Sequence, residues 1–187
     1  MNGVESRLVV GADLGCGDEE MKQNLDELVA MGVTHIIDCR VEWSDEEYVA
    51  RHAPQIAYLR APHDDNGVRA AKSWLDKGVD FALAALEDPN AKLYVHCHMG
   101  VNRGPSMAFA ILLALGWAPL EAYDRIVEVR EEAWVLYATQ AYRWWLEREP
   151  VSDVSGAKCV LTELKQRIDA REHHALRVIR GLRQTGT

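Results

Sequence analysis

Short runs of β-branched and other apolar residues alternate along the first half of the chain with stretches whose apolar positions recur every three or four residues. Arg7 to Val10, closed by Gly11, and Thr34 to Cys39 are runs of the first kind, each bounded by turn residues, and they predict strands. Gln55 to Arg60 and Lys92 to His96 predict two more. Between the first pair, Met21, Leu25, Leu28 and Val29 fall at helical spacing within Glu19 to Met31, with Asp18 placed as N-cap and Gly32 ending the helix. A second helix, from about Val68 to Leu86, sets Ala71, Trp74, Leu75, Val79, Ala82 and Leu86 on one face. Strands alternating with helices predict an α/β fold: a central, mostly parallel sheet of four or five strands flanked by helices.

After His96 the pattern is helical throughout. Ser106 to Leu115 is almost wholly apolar and reads as a helix buried on all sides in the middle of the core. Ala118-Pro119-Leu120 opens the next helix, running to about Glu131, with proline in its first turn, and Trp134 to Arg148 is another. Residues 150–156 have linker composition, so residues 1–149 read as the main domain. Beyond them, residues 157–187 form one added C-terminal amphipathic helix, with Leu161, Leu164, Ile168, Ala175, Ile179 and Leu182 on its apolar stripe and Ser155 as its cap. Lys158, Lys165, Arg167, Arg171, Arg177, Arg180 and Arg183 outnumber Glu163, Asp169 and Glu172, so this helix is basic. It reads first as a helix packed on its own acidic domain, and second as a homodimer contact or an anion-docking surface.

Composition narrows the classes of function. The chain has 187 residues, 48% of them hydrophobic, with 29 acidic against 21 basic residues and a net charge of −8, which excludes a disordered chain and a mini-protein. A negative chain has no general footprint for nucleic acid, so an anionic ligand needs a local site. Cys16, Cys39, Cys97 and Cys159 lack paired short spacing, which argues against a disulfide framework or a zinc knuckle. No stretch approaches the ~18 uninterrupted apolar residues of a membrane span, and the N-terminus lacks a signal pattern. The expectation is a soluble, cytoplasmic protein with reduced thiols and no membrane contact.

The chemistry lies between the last strand and the buried helix, in Tyr94-Val95-His96-Cys97-His98-Met99-Gly100-Val101-Asn102-Arg103-Gly104-Pro105-Ser106. If the five residues between Cys97 and Arg103 curl around the helix N-terminus, their N–H groups and the helix dipole converge on one point. Arg103 adds a planar fork for oxygen pairs, and the result is a cradle for a tetrahedral oxyanion. The same field should hold Cys97 as a thiolate near neutral pH, a nucleophile beneath a bound phosphate. His96, Cys97 and His98 do not suggest a metal site, because adjacent residues of a strand face opposite sides.

This segment resembles the signature loop of the cysteine-based protein phosphatases: His96-Cys97, then five residues with Gly100 third, then Arg103. It is most similar to the dual-specificity branch, and the resemblance runs from about Arg7 through Gly32 to Ile37 and on to about Glu149, leaving the C-terminal helix outside. It implies phosphomonoester hydrolysis through a cysteinyl-phosphate intermediate, with a phosphorylated protein or a small phosphomonoester as substrate and no metal or organic cofactor. It also implies the roles: Cys97 attacks, Arg103 and the amides of His98, Met99, Gly100, Val101 and Asn102 hold the phosphate, and His96 supports the loop through a hydrogen bond from its ring. An aspartate from an upstream loop protonates the leaving group in this family. Pro62-His63-Asp64-Asp65-Asn66-Gly67 occupies that place, where spacing favours Asp65, with Asp64 the alternative. Cys39, at the end of a strand, is a candidate redox partner for Cys97.

Two departures from the family pattern stand out. Gly104 follows the arginine where the family usually has serine or threonine, whose hydroxyl helps the thiolate leave; Ser106, two positions on, is the candidate substitute. No Pro-Asn pair follows Arg130, so the loop needs other support, for which Trp134 is the guess. The loop lacks the paired lysines of phosphoinositide-directed relatives, while Asn102-Arg103 is shared with RNA 5′-triphosphatase-like relatives. The alternatives are therefore a non-catalytic phosphate-binding module and an RNA 5′-triphosphatase, the acidic balance weighing against nucleic acid and the basic helix for it.

Overall fold

The structure, a computed structural model, describes residues 1–67, 69–149 and 152–185, the last four without their side chains. Alternation along each strand sorts the core into two layers. Leu8, Val10, Ile37, Leu93 and Val95 face one side of the sheet, while Val9, Ile36 and Tyr94 face the other. The strands are β1 (Asn2–Glu5), β2 (Leu8–Gly11), β3 (His35–Asp38), β4 (Ala57–Arg60) and β5 (Leu93–His96), in the order β1-β2-β5-β3-β4. Only β1 runs antiparallel to its neighbour; the other pairs are parallel. This is the mostly parallel, five-stranded α/β sheet that the pattern predicts.

Helices α1 (Asp18–Ala30) and α2 (Glu46–His52) cover one face, contributing Leu25, Leu28 and Val49 to its core. Helices α3 (Lys72–Leu86), α4 (Arg103–Ala114), α5 (Pro119–Val129) and α6 (Ala138–Arg148) supply the larger core on the other. Every residue of α4 from Arg103 to Leu113 is buried, as its unbroken apolar run requires. Helix α7 (Val154–Thr185) then lays Leu164 and Ile168 into that same core. The stripe offered for a homodimer thus contributes to the chain's own core, and Arg167 pairs with Asp124 on α5 at 3.0 Å.

Several boundaries differ from expectation. Strand β1 and helix α2 were not predicted, because each is short and has a single buried side chain, Val4 and Val49, too few to show a period. Helix α3 begins at Lys72; Val68, the predicted start, lies outside the described residues, as do Pro150 and Val151 of the linker and Gly186 and Thr187 of the C-terminal segment. Asp18 is the first residue of α1 and not its cap, and Ser155 lies inside α7, which starts within the linker-like stretch. Helix α4 starts at Arg103, three residues before Ser106, and α6 starts at Ala138, not Trp134.

Candidate active site

Parallel register determines which loops meet. Gly11 and Asp38 both lie opposite His96, so the loops after β2, β3 and β5 leave the same edge of the sheet side by side. The loop after β5 passes close against the end of β2. A Cβ on Gly100 would lie 2.6 Å from the carbonyl of Gly11, and its φ of 64° is a conformation glycine adopts without strain. Arg130, at the end of α5, donates from Nε to the Gly100 carbonyl at 2.6 Å and from Nη2 to that of Met99 at 2.9 Å. The backbone N–H of Trp134 donates to the Val101 carbonyl at 2.7 Å, and that of Asp13 to the His98 carbonyl at 3.1 Å. Trp134 thus does support the loop, through its backbone, and the His98 ring meets the Asp13 carboxylate at 2.6 Å.

Cys97 is buried beneath this loop. Gly104 has its own reason: a Cβ there would come within 3.1 Å of the His96 backbone, so serine or threonine would be crowded by the strand. Arg103 is buried too. Its Nη1 and Nη2 donate to Glu42 Oε2 and Oε1 at 2.8 and 2.7 Å, Nη1 also reaches the His63 carbonyl at 3.3 Å, and Nε stands 3.5 Å from Asp65 Oδ2.

Both candidate aspartates are exposed, and they differ in their partners. Asp65 Oδ1 accepts from Asn102 Nδ2 at 2.6 Å and from the Tyr137 hydroxyl at 3.3 Å, whereas Asp64 meets Asn66 Nδ2 at 3.4 Å. Asn102 therefore acts through its side chain as well, tying the loop to Asp65, and its Oδ1 accepts from Leu136 N–H and Ser106 Oγ, each at 3.0 Å. The Ser106 hydroxyl proton is directed to Asn102 while its oxygen accepts from Tyr137 N–H at 3.3 Å, so Ser106 braces the loop and does not take the place of the missing hydroxyl beside Cys97.

Burial pushes the Cys97 thiol up, opposed by Arg103 and by the N–H groups of Gly104 and Gly100, and the net effect is a rise. This direction runs against the expectation of a thiolate near neutrality, and its main cause is burial, with the Asp65 charge adding to it. The Arg103 hydrogen bonds in turn hold Glu42 down at about 2. Burial lowers His96 to about 4, so its ring is neutral. That ring stacks on Tyr94 at 5.3 Å, with Nε2 3.9 Å from Asp38. Cys39 shares the buried cluster of Cys97, and burial followed by the Cys97 charge raises its thiol.

Cys97, Asp64, Asp65, His98, Met99, Val101, Asn102 and Arg103 line one cleft of 870 Å³, and Gly100, His96, Ser106 and Cys39 lie off its lining. Sequence reasoning missed Glu42, Asp13, Tyr137 and the guanidinium of Arg130. Glu42 and Asp13 follow strands whose ends flank the loop, which is the one signal that points to them. Among the described residues, no helix is long and apolar enough to cross a membrane, and no group of three His, Cys, Asp or Glu is placed to hold a metal ion.

Comparison with known proteins agrees with this geometry. The catalytic domain of the dual specificity phosphatases matches residues 16–143. Human dual specificity protein phosphatase 26 is 30% identical over 100 residues, which are 52% of this chain and 46% of that protein, so the match spans about half the length of this relative. Among solved structures, human DUSP28 superposes with a TM-score of 0.59 at 19% identity, covering 92% of this chain and 100% of that one. PTPMT1 in complex with PI(5)P gives 0.57 at 22%, covering 88% and 96%. With its signature loop at the carboxyl edge of a five-stranded sheet and most of its length matched, the chain belongs to the dual specificity phosphatase family.

Proposed function

We propose that the protein hydrolyses phosphomonoesters in two steps through a cysteinyl-phosphate, as a phosphatase of phosphorylated proteins or small phosphomonoesters. The observation that carries this reading is the convergence of Cys97, Arg103 and Asp65 in one cleft, with Arg103 Nε 3.5 Å from the Asp65 carboxylate. The Cys97 sulfur forms a bond to phosphorus as the bond to the leaving oxygen breaks, and Asp65 gives that oxygen its proton. Arg103 and the loop amides from His98 onward hold the three remaining oxygens. Water, deprotonated by the same aspartate, then displaces sulfur and releases phosphate. The contacts of Asp65 with Asn102 and Tyr137 favour it over Asp64. Nothing in this sequence of steps calls for a metal or organic cofactor.

Gly104 and the engaged Ser106 leave the departing thiolate without a hydroxyl donor, so the second step is the slow one. Rapid mixing of phenyl phosphate with wild type should give a burst of phenol followed by slower turnover, both abolished in Cys97→Ser. Phosphate binding without any turnover would favour the non-catalytic module, and phosphate release from a triphosphate-ended RNA but not from phenyl phosphate would favour the triphosphatase. Four free cysteines fit a reducing, cytoplasmic setting. Under peroxide, Cys97 oxidised to its sulfenic acid would condense with the Cys39 thiol to a disulfide and water. If Cys39→Ser recovers with dithiothreitol as fully as wild type after peroxide, that pairing is wrong.

A further inference from the structure

Helix α7 begins beyond residue 143, where the matched catalytic domain ends, and yet it reaches the catalytic cleft. Ile179, near its far end, lines the same cleft as Cys97 and Arg103, together with Trp134 and Leu136 from the α5–α6 loop. The helix is fastened to that loop. Trp134 Nε1 donates to the Ile168 carbonyl at 3.0 Å, and Arg171 donates from Nε to the Ala133 carbonyl at 2.9 Å and from Nη2 to that of Glu131. Ala175, one turn before Ile179, is 1% exposed. The loop so held is the one whose Trp134 and Leu136 N–H groups bond Val101 and Asn102 of the phosphate cradle.

The rest of the lining says what such a wall would select. Val41 and Trp43 of the β3–α2 loop add apolar surface, and Trp43 is held edge-on to His98 at 4.8 Å. Among the described residues that line the cleft, Arg103 is the only arginine or lysine, and it is paired with Glu42 and Asp65. A second phosphate or an acidic neighbour would find no further cation among those lining residues. At 870 Å³ the cleft is larger than a phosphate with one ring needs, and it falls within the range that takes a drug-sized ligand.

We infer that α7 is a specificity wall: through Ile179, with Trp134 and Leu136, the cleft selects monophosphate esters of an aromatic alcohol whose ring is continued by further apolar groups. This rests on the phosphatase reading above. The shared chemistry has two sources, a small apolar aryl phosphate or a phosphotyrosine between apolar residues. Wild type should hydrolyse 2-naphthyl phosphate with a kcat/KM on the order of tenfold above phenyl phosphate, the scale of a small gain in apolar contact. Ile179→Asp should lower that ratio by about fivefold, and Ile179→Leu should keep it. A leucine-flanked phosphotyrosine peptide, preferred over a glutamate-flanked one with the same dependence on Ile179, would identify the source as protein; dependence confined to 2-naphthyl phosphate would identify it as a small molecule. A ratio unmoved by Ile179→Asp overturns the inference. Binding of 2-naphthyl phosphate to Cys97→Ser, with and without Ile179→Asp, tests the wall without turnover. If wild type hydrolyses nothing while Ile179→Asp still weakens this binding, the phosphatase reading fails and the wall stands; equal binding removes the wall.

Discussion

Two arginines are buried along the same sheet edge, and they are paired in opposite ways. Arg40, just after β3, has a side chain 0% exposed and gives Nε and Nη2 to Asp38, each at 2.9 Å, with Asp45 at 2.7 Å and Asp13 at 3.5 Å. Asp38 and Asp45 are themselves buried, and the Asp13 side chain is 9% exposed. Arg103, at the start of α4, is as deep, but its partners Glu42 and Asp65 are 35% and 38% exposed and line the cleft. A set of charges closed around its guanidinium holds structure, because no ligand reaches the cation itself. An open set can exchange a partner for a phosphate oxygen or a leaving group. Of these two buried arginines, the exposure of the partners distinguishes scaffold from site.

The contrast breaks most sharply at the proposed acid. Asp65→Asn should cost about 10²–10⁴ in kcat for a poorly leaving alkyl phosphate, and Asp64→Asn little; equal losses would remove Asp65 from its role. Next, Arg103→Lys should lower kcat/KM for phenyl phosphate by roughly 10²–10³ without a comparable fall in melting temperature, because the fork is lost and the fold is not. A melting temperature that falls as far as that of an Arg40 variant would make the two arginines alike.

Arg40→Met should do the reverse, removing about 3–5 kcal/mol of stability, measured by urea unfolding, by leaving Asp38 and Asp45 buried without their cation. Its pH dependence has a definite sign. Burial raises Asp38, and Arg40 together with His96 and Tyr58 outweighs it, so the wild-type carboxyl lies below its ordinary value of 3.8. The stability it contributes is therefore present above about pH 4 and lost as pH falls through the lowered value. Without Arg40 the burial effect remains, so the penalty of Arg40→Met should shrink as pH falls toward 4. A penalty that grows toward acid contradicts this account of the cluster.

The smallest effect sharpens the open side. Glu42→Gln removes the charge that shares Arg103, so more of the guanidinium field reaches Cys97. The rate of Cys97 alkylation by iodoacetamide against pH should shift toward lower pH. No shift, or a shift upward, would mean that Glu42 does not set the ionisation of the thiol.

The catalytic loop was legible because its signal is local. Cys97, Gly100 and Arg103 stand within one turn of chain, and the apolar run that follows them announces a buried helix. Asp65 was legible only against the family pattern, since Asp64 and Asp65 carry the same chemistry one position apart. Glu42 was legible only as a residue following a strand, since it sits 61 residues from Arg103 in a loop with no motif of its own. The role of Ser106 was open in the sequence for a related reason, since the partners of its hydroxyl, Asn102 and Tyr137, are set by how α4 meets the start of α6.

By itself the amino-acid order determined the alternation of strands and helices, the two-faced sheet, the buried α4 and the cradle between Cys97 and Arg103. Each follows from backbone geometry over a few residues, whose periods of 2 and 3.6 are written directly in the positions of apolar side chains. Only the tertiary structure decided that β5 lies between β2 and β3, and so which loops share an edge with the cradle. From that order follow the pairing of Arg103 with Glu42 and the charges gathered around Arg40, while the burial of Cys97 beneath the loop raises its thiol. The packing of α7 in turn decided the arrival of Ile179 at the cleft. Contacts across strands and between distant helices depend on which surfaces meet, and no local period records that.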